Sequence, residues 1–129
     1  MAPIFLTLGE VLEIHEDQIR RYGGAPGVRD IGLLQSAIAQ PAAEFGGVRL
    51  HRDIFAMAAA YLFHIIQNHP LVDGNKRTGA VTALVFLSIN DVHVKDAEEA
   101  AFEKLVRAVA EGRGDKTVVA RFLQKHSRR

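Results

Sequence analysis

Apolar residues recur at helical spacing along most of the chain, and the first helix has the clearest start. Its capping box, Thr7-x-x-Glu10, pairs a hydroxyl with the N3 backbone and a carboxylate with the N-cap backbone. The helix is expected to end at Gly23-Gly24, where positive φ costs little. Its apolar face is formed by Leu8, Val11, Leu12, Ile19 and Tyr22.

A second, shorter helix is predicted from the N-cap Asp30 to about Gln40, because the backbone before Pro41 disfavours a helix. The stretch that follows, "AAEFGGVRLHR", lacks a helical pattern. Its pair Gly46-Gly47 can turn a short hairpin.

Two longer stretches are apolar on nearly every side, at residues 53–68 and 75–89. A helix that is apolar all round belongs at the centre of a bundle. Pro70 separates the two predicted helices, and Asn90-Asp91 end the second one.

The remaining chain predicts two more helices. Asp96-x-x-Glu99 resembles a capping box for a helix to Ala110, and a last helix is expected over residues 116–125. The fold class is therefore all-α: a compact bundle of about six helices with one small β-hairpin. A length of 129 residues fits one domain over residues 1–129.

Composition narrows the function classes. The chain has no cysteine, which excludes disulfides and thiolate chemistry. A formal net charge of +1 gives no support to direct nucleic-acid binding, and a helix-turn-helix DNA binder would need a basic stripe that is absent. His64, Gln67 and Asn68 interrupt the most apolar run, and no signal peptide is recognised, so no membrane partner and a cytoplasmic location are predicted. The basic tail "QKHSRR" is expected to be a solvated end.

Polar chemistry is concentrated between the two central helices, in "NHPLVDGNKRTGA" at residues 68–80. The N-terminus of the second helix presents unpaired N–H groups and a partial positive charge. Gly74 allows close backbone approach to a ligand. Lys76 and Arg77 oppose the helix dipole, and a bound anion such as phosphate would offset that conflict.

Asp73 and His69 complete the set. A carboxylate beside a phosphate repels it unless a cation such as Mg²⁺ bridges the two, and a histidine near neutral pH can take a proton from a hydroxyl. These groups are what phosphoryl or nucleotidyl transfer requires. The structural alternative is that Asp73 or Asn75 simply caps the helix.

Other motifs fit less well. A P-loop would need Gly-Lys-Ser/Thr after a strand, whereas a helix precedes this loop. Zinc binding by His64, His69 and Asp73 is disfavoured because the two histidines are five residues apart, on different helix faces, without an HExxH motif. His15 is expected to be a satisfied core histidine. No role is assigned to His51 or His93.

The stretch from His69 to Arg77 resembles the signature of the Fic/Doc family, H-P-F-x-D-G-N-G-R-x-x-R in the Fic branch and H-x-F-x-D-x-N-K-R in the Doc, or death-on-curing, branch. Lys76 is the Doc variant. The segment "RRYGGAPGVRD" at residues 20–30 is similar to a loop of the Doc branch, and the helix after the motif, "NKRTGAVTALVFLSIND", is similar too, so the resemblance extends over nearly the whole chain.

The resemblance implies a compact helical Fic/Doc core and a toxin of a type II toxin–antitoxin pair. Doc-type members are protein kinases that transfer the γ-phosphate of ATP to a hydroxyl of elongation factor Tu and so block translation. The implied cofactors are ATP and Mg²⁺, and the implied partners are an antitoxin and a protein substrate. The segment around Phe45–Leu50 is similar in place to the flap that aligns the target by strand addition.

The resemblance also implies roles for individual residues. His69 would be the base for the target hydroxyl and Asp73 the Mg²⁺ ligand. Together with Lys76 and Arg77 they are the predicted catalytic residues. The predicted ATP-phosphate site consists of Gly74, Asn75, Lys76 and Arg77.

Two departures from the Fic pattern matter. Leu71 replaces a phenylalanine that anchors the loop, and we expect leucine to remain an apolar plug. Ala80 replaces the final arginine and Lys76 replaces a glycine, which favours γ-phosphate transfer over AMP transfer. AMP transfer to a protein hydroxyl and an inactive, partner-binding Fic fold remain the alternatives.

Overall fold

The computed structural model describes residues 2–95 and 99–128, and within them the chain is mainly helical. The prediction of a compact, all-α bundle of about six helices is confirmed. Helices α1 to α6 span Leu8–Tyr22, Ile31–Ala39, Ile54–Asn68, Asn75–Ile89, Glu99–Ala110 and Lys116–Lys125. A 3-10 turn, Gln40–Ala42, follows α2. Strands β1 to β4 span Glu44–Phe45, Val48–Arg49, His93–Val94 and Ser127–Arg128.

Helix α3 forms the centre of the bundle, as its apolar sequence predicts. It packs chiefly on α4 and also contacts α2, α5 and α6. Its residues Tyr61, Leu62 and Ile65 are fully buried. Gly79 of α4 permits the close approach, because a Cβ there would lie 3.1 Å from the Leu62 carbonyl oxygen. The two central helices thus fix the positions of the residues that connect them.

The predicted caps account for where most helices begin. Thr7 and Glu10 form both bonds of the capping box at α1. Asp30, Asp53 and Asp115 cap α2, α3 and α6, each accepting from a backbone N–H at 2.8–3.0 Å. Such caps satisfy N–H groups that the helix itself leaves unpaired.

The predicted hairpin is present. Strands β1 and β2 pair antiparallel, with Phe45 opposite Val48. Phe45, Val48 and Leu50 are exposed. We call residues 44–50 the flap.

The C-terminal tail keeps Lys125 and Arg128 exposed, as predicted of a solvated end, but it also contains a strand that the sequence did not predict. Ser127–Arg128 form β4, which pairs antiparallel with β3, His93–Val94, and Lys95 N–H donates to the His126 carbonyl. Asp96 of the predicted capping box lies outside the described residues. None of the helices in the described ranges has the length and apolarity needed to cross a membrane.

Candidate active site

The motif loop, residues 69–74, reverses the chain between α3 and α4. His69 is the C-cap of α3 in a left-handed conformation, with φ 50° and ψ 50°, and its N–H donates to the Ile65 carbonyl. Gly74 is the N-cap of α4 with φ 79°, a conformation that favours glycine. The end of one helix and the start of the next therefore face the same space.

That space is a cavity of about 490 Å³, which the structure lines with all six predicted site residues. Its lining consists of Ile66, His69, Val72, Asp73, Gly74, Asn75, Lys76, Arg77 and Ala110. The sequence placed the six predicted site residues on the motif loop and in the first turn of the following helix, and in the fold all six line the same cavity. Their individual roles stay predictions.

The start of α4 is open to a ligand. Gly74 provides no side-chain cap, and the first helical bond runs from Thr78 N–H to the Gly74 carbonyl at 2.9 Å. Within the described part of the chain, no group accepts from the backbone N–H of Asn75, Lys76 or Arg77. The alternative in which Asp73 or Asn75 caps this helix is therefore wrong. Three unpaired N–H groups at a helix N-terminus suit a phosphate.

Asp73 is held as a carboxylate. Its Oδ2 accepts from Ala25 N–H at 3.2 Å and its Oδ1 from Gly74 N–H at 2.8 Å. These amide hydrogen bonds, the Ala25 bond foremost, lower the pKa of Asp73 below its ordinary value. An ionised, exposed carboxylate is the hard oxygen ligand that Mg²⁺ prefers, so the residues present fit this ion.

Gly24 makes room for that carboxylate. Its φ is 112°, and a Cβ there would lie 2.8 Å from Asp73 Oδ2. The Gly-Gly pair after α1, expected to end the helix, therefore also shapes the site.

Asn75 is committed to the loop itself. Its side-chain Nδ2 donates to the Leu71 carbonyl and its Oδ1 accepts from Leu71 N–H, both at 3.0 Å. The residue is buried. The side chain of Asn75 is therefore not available for a phosphate, because both carboxamide atoms bond to Leu71. Only the backbone N–H of Asn75 can serve the predicted phosphate site.

Comparison with known proteins agrees with this geometry. A profile of the Fic/DOC family matches residues 5–87, which run from before α1 almost to the end of α4. This chain belongs to the Fic/Doc family.

Two relatives narrow the placement within the Fic/Doc family. "Toxin Doc" of Mycolicibacterium smegmatis is 43% identical over 90 residues, which cover 69% of this chain and 69% of the relative. "Protein kinase doc" of Escherichia phage P1 is 37% identical over 92 residues, or 71% of this chain and 72% of the relative. The chain is thus a Doc-type toxin by similarity, and one relative is named as a kinase.

The two cations of the Fic/Doc motif differ in their surroundings. Arg77 Nη2 donates to the Gly23 carbonyl at 2.9 Å, and the guanidinium lies 5.6 Å from the Tyr22 ring centroid. The Lys76 side chain is exposed and forms no hydrogen bond or ion pair within the described ranges. The Lys76 side chain is therefore free to adjust its position to a ligand. The Arg77 side chain is held in place by its contacts at the C-terminal end of α1.

Two residues outside the motif hold the loop: Arg29, which the sequence did not single out, and His15, which it predicted only to be a core histidine. Arg29 Nε donates to the His69 carbonyl at 2.7 Å and Arg29 Nη2 to the Asn68 carbonyl at 3.1 Å. His15 is buried, as expected of a core histidine, but its partner is the Asp73 carbonyl, at 2.8 Å from Nε2. The similarity of residues 20–30 to a Doc loop pointed to the region of Arg29 but not to this contact.

Leu71 fills the place that phenylalanine takes in the Fic pattern. It is fully buried and forms an isolated antiparallel bridge with Val28. The expectation of an apolar plug is confirmed.

A second group of titratable side chains lies outside the cavity lining. Lys116 Nζ lies 3.1 Å from His51 Nε2 and 3.0 Å from His64 Nε2. Burial, followed by the nearby Lys116 charge and His51, lowers the pKa of His64 to about 4. Both imidazoles can then accept from the ammonium, which ties the segment after the flap to α3 and α6. The sequence assigned His51 no role because this contact joins distant segments.

Proposed function

We propose that this chain is the toxin of a type II toxin–antitoxin pair and a protein kinase. It would transfer the γ-phosphate of ATP to a serine or threonine hydroxyl of a translation factor similar to elongation factor Tu, and so block translation in the cytoplasm. One observation carries the proposal: a histidine, an ionised carboxylate and an uncapped helix start with two cations line one cavity. The relatives' names, a toxin and a protein kinase, support it.

The residues divide the work of phosphoryl transfer. His69 takes the proton of the target hydroxyl as its oxygen bonds to the γ-phosphorus and the bond from that phosphorus to the β,γ-bridging oxygen breaks, leaving ADP. Asp73 would hold Mg²⁺, which would neutralise phosphate charge when bound. The N–H groups at the start of α4, with Lys76 and Arg77, bind the phosphate oxygens.

The surroundings keep these groups in position. Arg29 holds the His69 carbonyl, and the Asn75 carboxamide closes the loop on Leu71. A site whose geometry exists before the ligand arrives loses less free energy to reorganisation. The exposed flap is proposed to align the protein target by strand addition, since its short strands leave edges open. An antitoxin segment would neutralise the toxin by covering the cavity.

AMP transfer is the second candidate. Lys76 stands where Fic enzymes have glycine, and Ala80 provides no guanidinium for the nucleotide. Both differences favour attack on the γ-phosphorus, although the two reactions use the same base and metal ligand.

A two-label assay separates the candidates. The chain is incubated with elongation factor Tu and, in parallel, with a bacterial translation extract, using ATP labelled in the γ or the α phosphate. Protein labelled only from γ supports the kinase. Label from α means AMP transfer and overturns it, and no transfer from either, with growth unaffected by expression, favours the inactive fold.

A His69→Ala variant is the matched control. Losing a general base should lower transfer roughly 10²–10⁴-fold without changing nucleotide binding. A variant as active as the parent would show that His69 is not the base.

A further inference from the structure

His15 is a buried group that bonds to the motif loop and to which the proposed chemistry gives no task. It lies on α1, is 3% exposed, and is 58 residues from Asp73 in sequence. Its Nε2 lies 2.8 Å from the Asp73 carbonyl oxygen. A carbonyl only accepts, so Nε2 carries the hydrogen.

The peptide between Asp73 and Gly74 connects this imidazole to the carboxylate. In a planar trans peptide the C=O and N–H point in opposite directions. His15 donates to the carbonyl oxygen of this peptide. The N–H of the same peptide, which belongs to Gly74, donates to Asp73 Oδ1 at 2.8 Å. The two hydrogen bonds therefore fix one plane from both sides.

The backbone at this position needs such support. Gly74 has φ 79°, and glycine is free to leave that conformation. The His15 ring lies beside this residue, since a Cβ on Gly74 would be in ordinary van der Waals contact with His15 Cδ2, at 3.7 Å. If the peptide turned over, its carbonyl oxygen would face the carboxylate in place of the N–H. Oδ1 would lose its donor and meet a lone pair.

We propose that His15 is a positioning residue, which fixes the direction of the Asp73 carboxylate through the Asp73–Gly74 peptide and so preforms the Mg²⁺ ligand. The part concerning Mg²⁺ rests on the proposed function. Ala25 N–H holds Oδ2, so the carboxylate has one donor on each oxygen only while the peptide keeps its orientation. Groups that orient a metal ligand typically change metal affinity by about 10–100-fold when removed.

Two substitutions separate the hydrogen bond from the bulk of the ring. His15→Phe keeps a ring and removes the donor. His15→Gln places a side-chain N–H near the position of Nε2 and should restore the bond. Thermal denaturation of both variants identifies any loss of folding.

The first measurement is hydrogen exchange of the Gly74 amide, followed by NMR in the ligand-free chain. We expect exchange at Gly74 to be at least about 10-fold faster in His15→Phe, with amides in the middle of α3 and α4 unchanged. His15→Gln should exchange as slowly as the parent. Equal Gly74 exchange in parent and His15→Phe overturns the proposal.

The second measurement is the affinity for Mn²⁺ in the presence of ATP, observed by electron paramagnetic resonance. We expect His15→Phe to bind Mn²⁺ about 10–100-fold more weakly, and His15→Gln to recover the affinity. Unchanged affinity in His15→Phe overturns the link to the metal. If the parent chain binds no Mn²⁺ with ATP, the proposed function fails, while Gly74 exchange still decides whether His15 fixes the peptide.

Discussion

The motif loop and the flap differ in how the rest of the chain holds them. Leu71, inside the motif loop, is fully buried, and His15 and Arg29 bond to carbonyls of that loop. In the flap, Phe45 is 81% exposed. The loop proposed to orient charged groups for chemistry is held from several sides, whereas the loop proposed to meet a partner keeps its apolar side chains available.

Substitution of one apolar residue in each loop should give the largest contrast. Leu71→Ala removes a fully buried side chain, and we expect the free energy of unfolding to fall by about 2–5 kcal/mol. Val48→Ala, at an exposed flap position, should change it by no more than about 0.5 kcal/mol. Chemical denaturation measures both values. Equal losses would contradict the contrast between the loops.

Acid should weaken the contacts of Lys116 with His51 and His64, which tie the segment after the flap to α3 and α6. His64 has a folded pKa of about 4 against an ordinary value of 6.5, so its stabilisation is complete above pH 6.5 and is lost as the pH falls towards 4. Because the ring is partly exposed, solvent screening reduces the loss to on the order of 1–2 kcal/mol. Denaturation at several pH values measures it. His64→Gln, which keeps an acceptor for Lys116, should flatten the dependence between pH 6.5 and 4, and an unaltered slope would assign the effect to another group.

Arg29→Met tests whether the motif loop needs the hydrogen bonds that Arg29 donates to it. The variant loses two hydrogen bonds to the carbonyls of Asn68 and His69 at an exposed position, so we expect a stability loss of about 1 kcal/mol. The turnover rate should fall about 10-fold because the base shifts relative to the target. Steady-state kinetics measure this, with Arg20→Met, at an exposed surface ion pair, as the control. Similar turnover in both variants would show that the Arg29 hydrogen bonds do not position the base.

Phe45→Ser should have the smallest effect on folding and a selective effect on the target. The free energy of unfolding is expected to change by no more than about 0.5 kcal/mol, because Phe45 is mostly exposed already. The KM for the protein substrate should rise while ATP affinity stays constant. A rise in the KM for ATP alone would place the flap at the nucleotide instead.

Local patterns predicted the helices of the described chain and the residues of the motif. Capping residues such as Thr7, Asp30 and Asp53 fix helix starts through bonds to the next turn, and these signals lie within a few residues. The hairpin at Gly46-Gly47 is equally local. The placement of His69, Asp73 and Lys76 around one cavity followed from their position on the motif loop and in the first turn of α4.

Contacts between distant segments escaped the sequence. Nothing near Ser127 indicates that it pairs with Val94, and the imidazole of His15 looks like any buried histidine until α1 is packed beside Asp73. The Lys116–His51–His64 group likewise joins three elements. Single-sequence periodicity describes which face is buried but not which partner covers it.

The Asn75 carboxamide has a consequence for motion. Because it belongs to the first turn of α4 and bonds to both backbone groups of Leu71, the loop cannot open by itself without breaking those bonds and exposing a buried side chain. Opening the loop therefore costs several kcal/mol even without a ligand. We expect the loop to resist proteases in the free chain, and a bound nucleotide to increase that resistance because it binds only the closed loop.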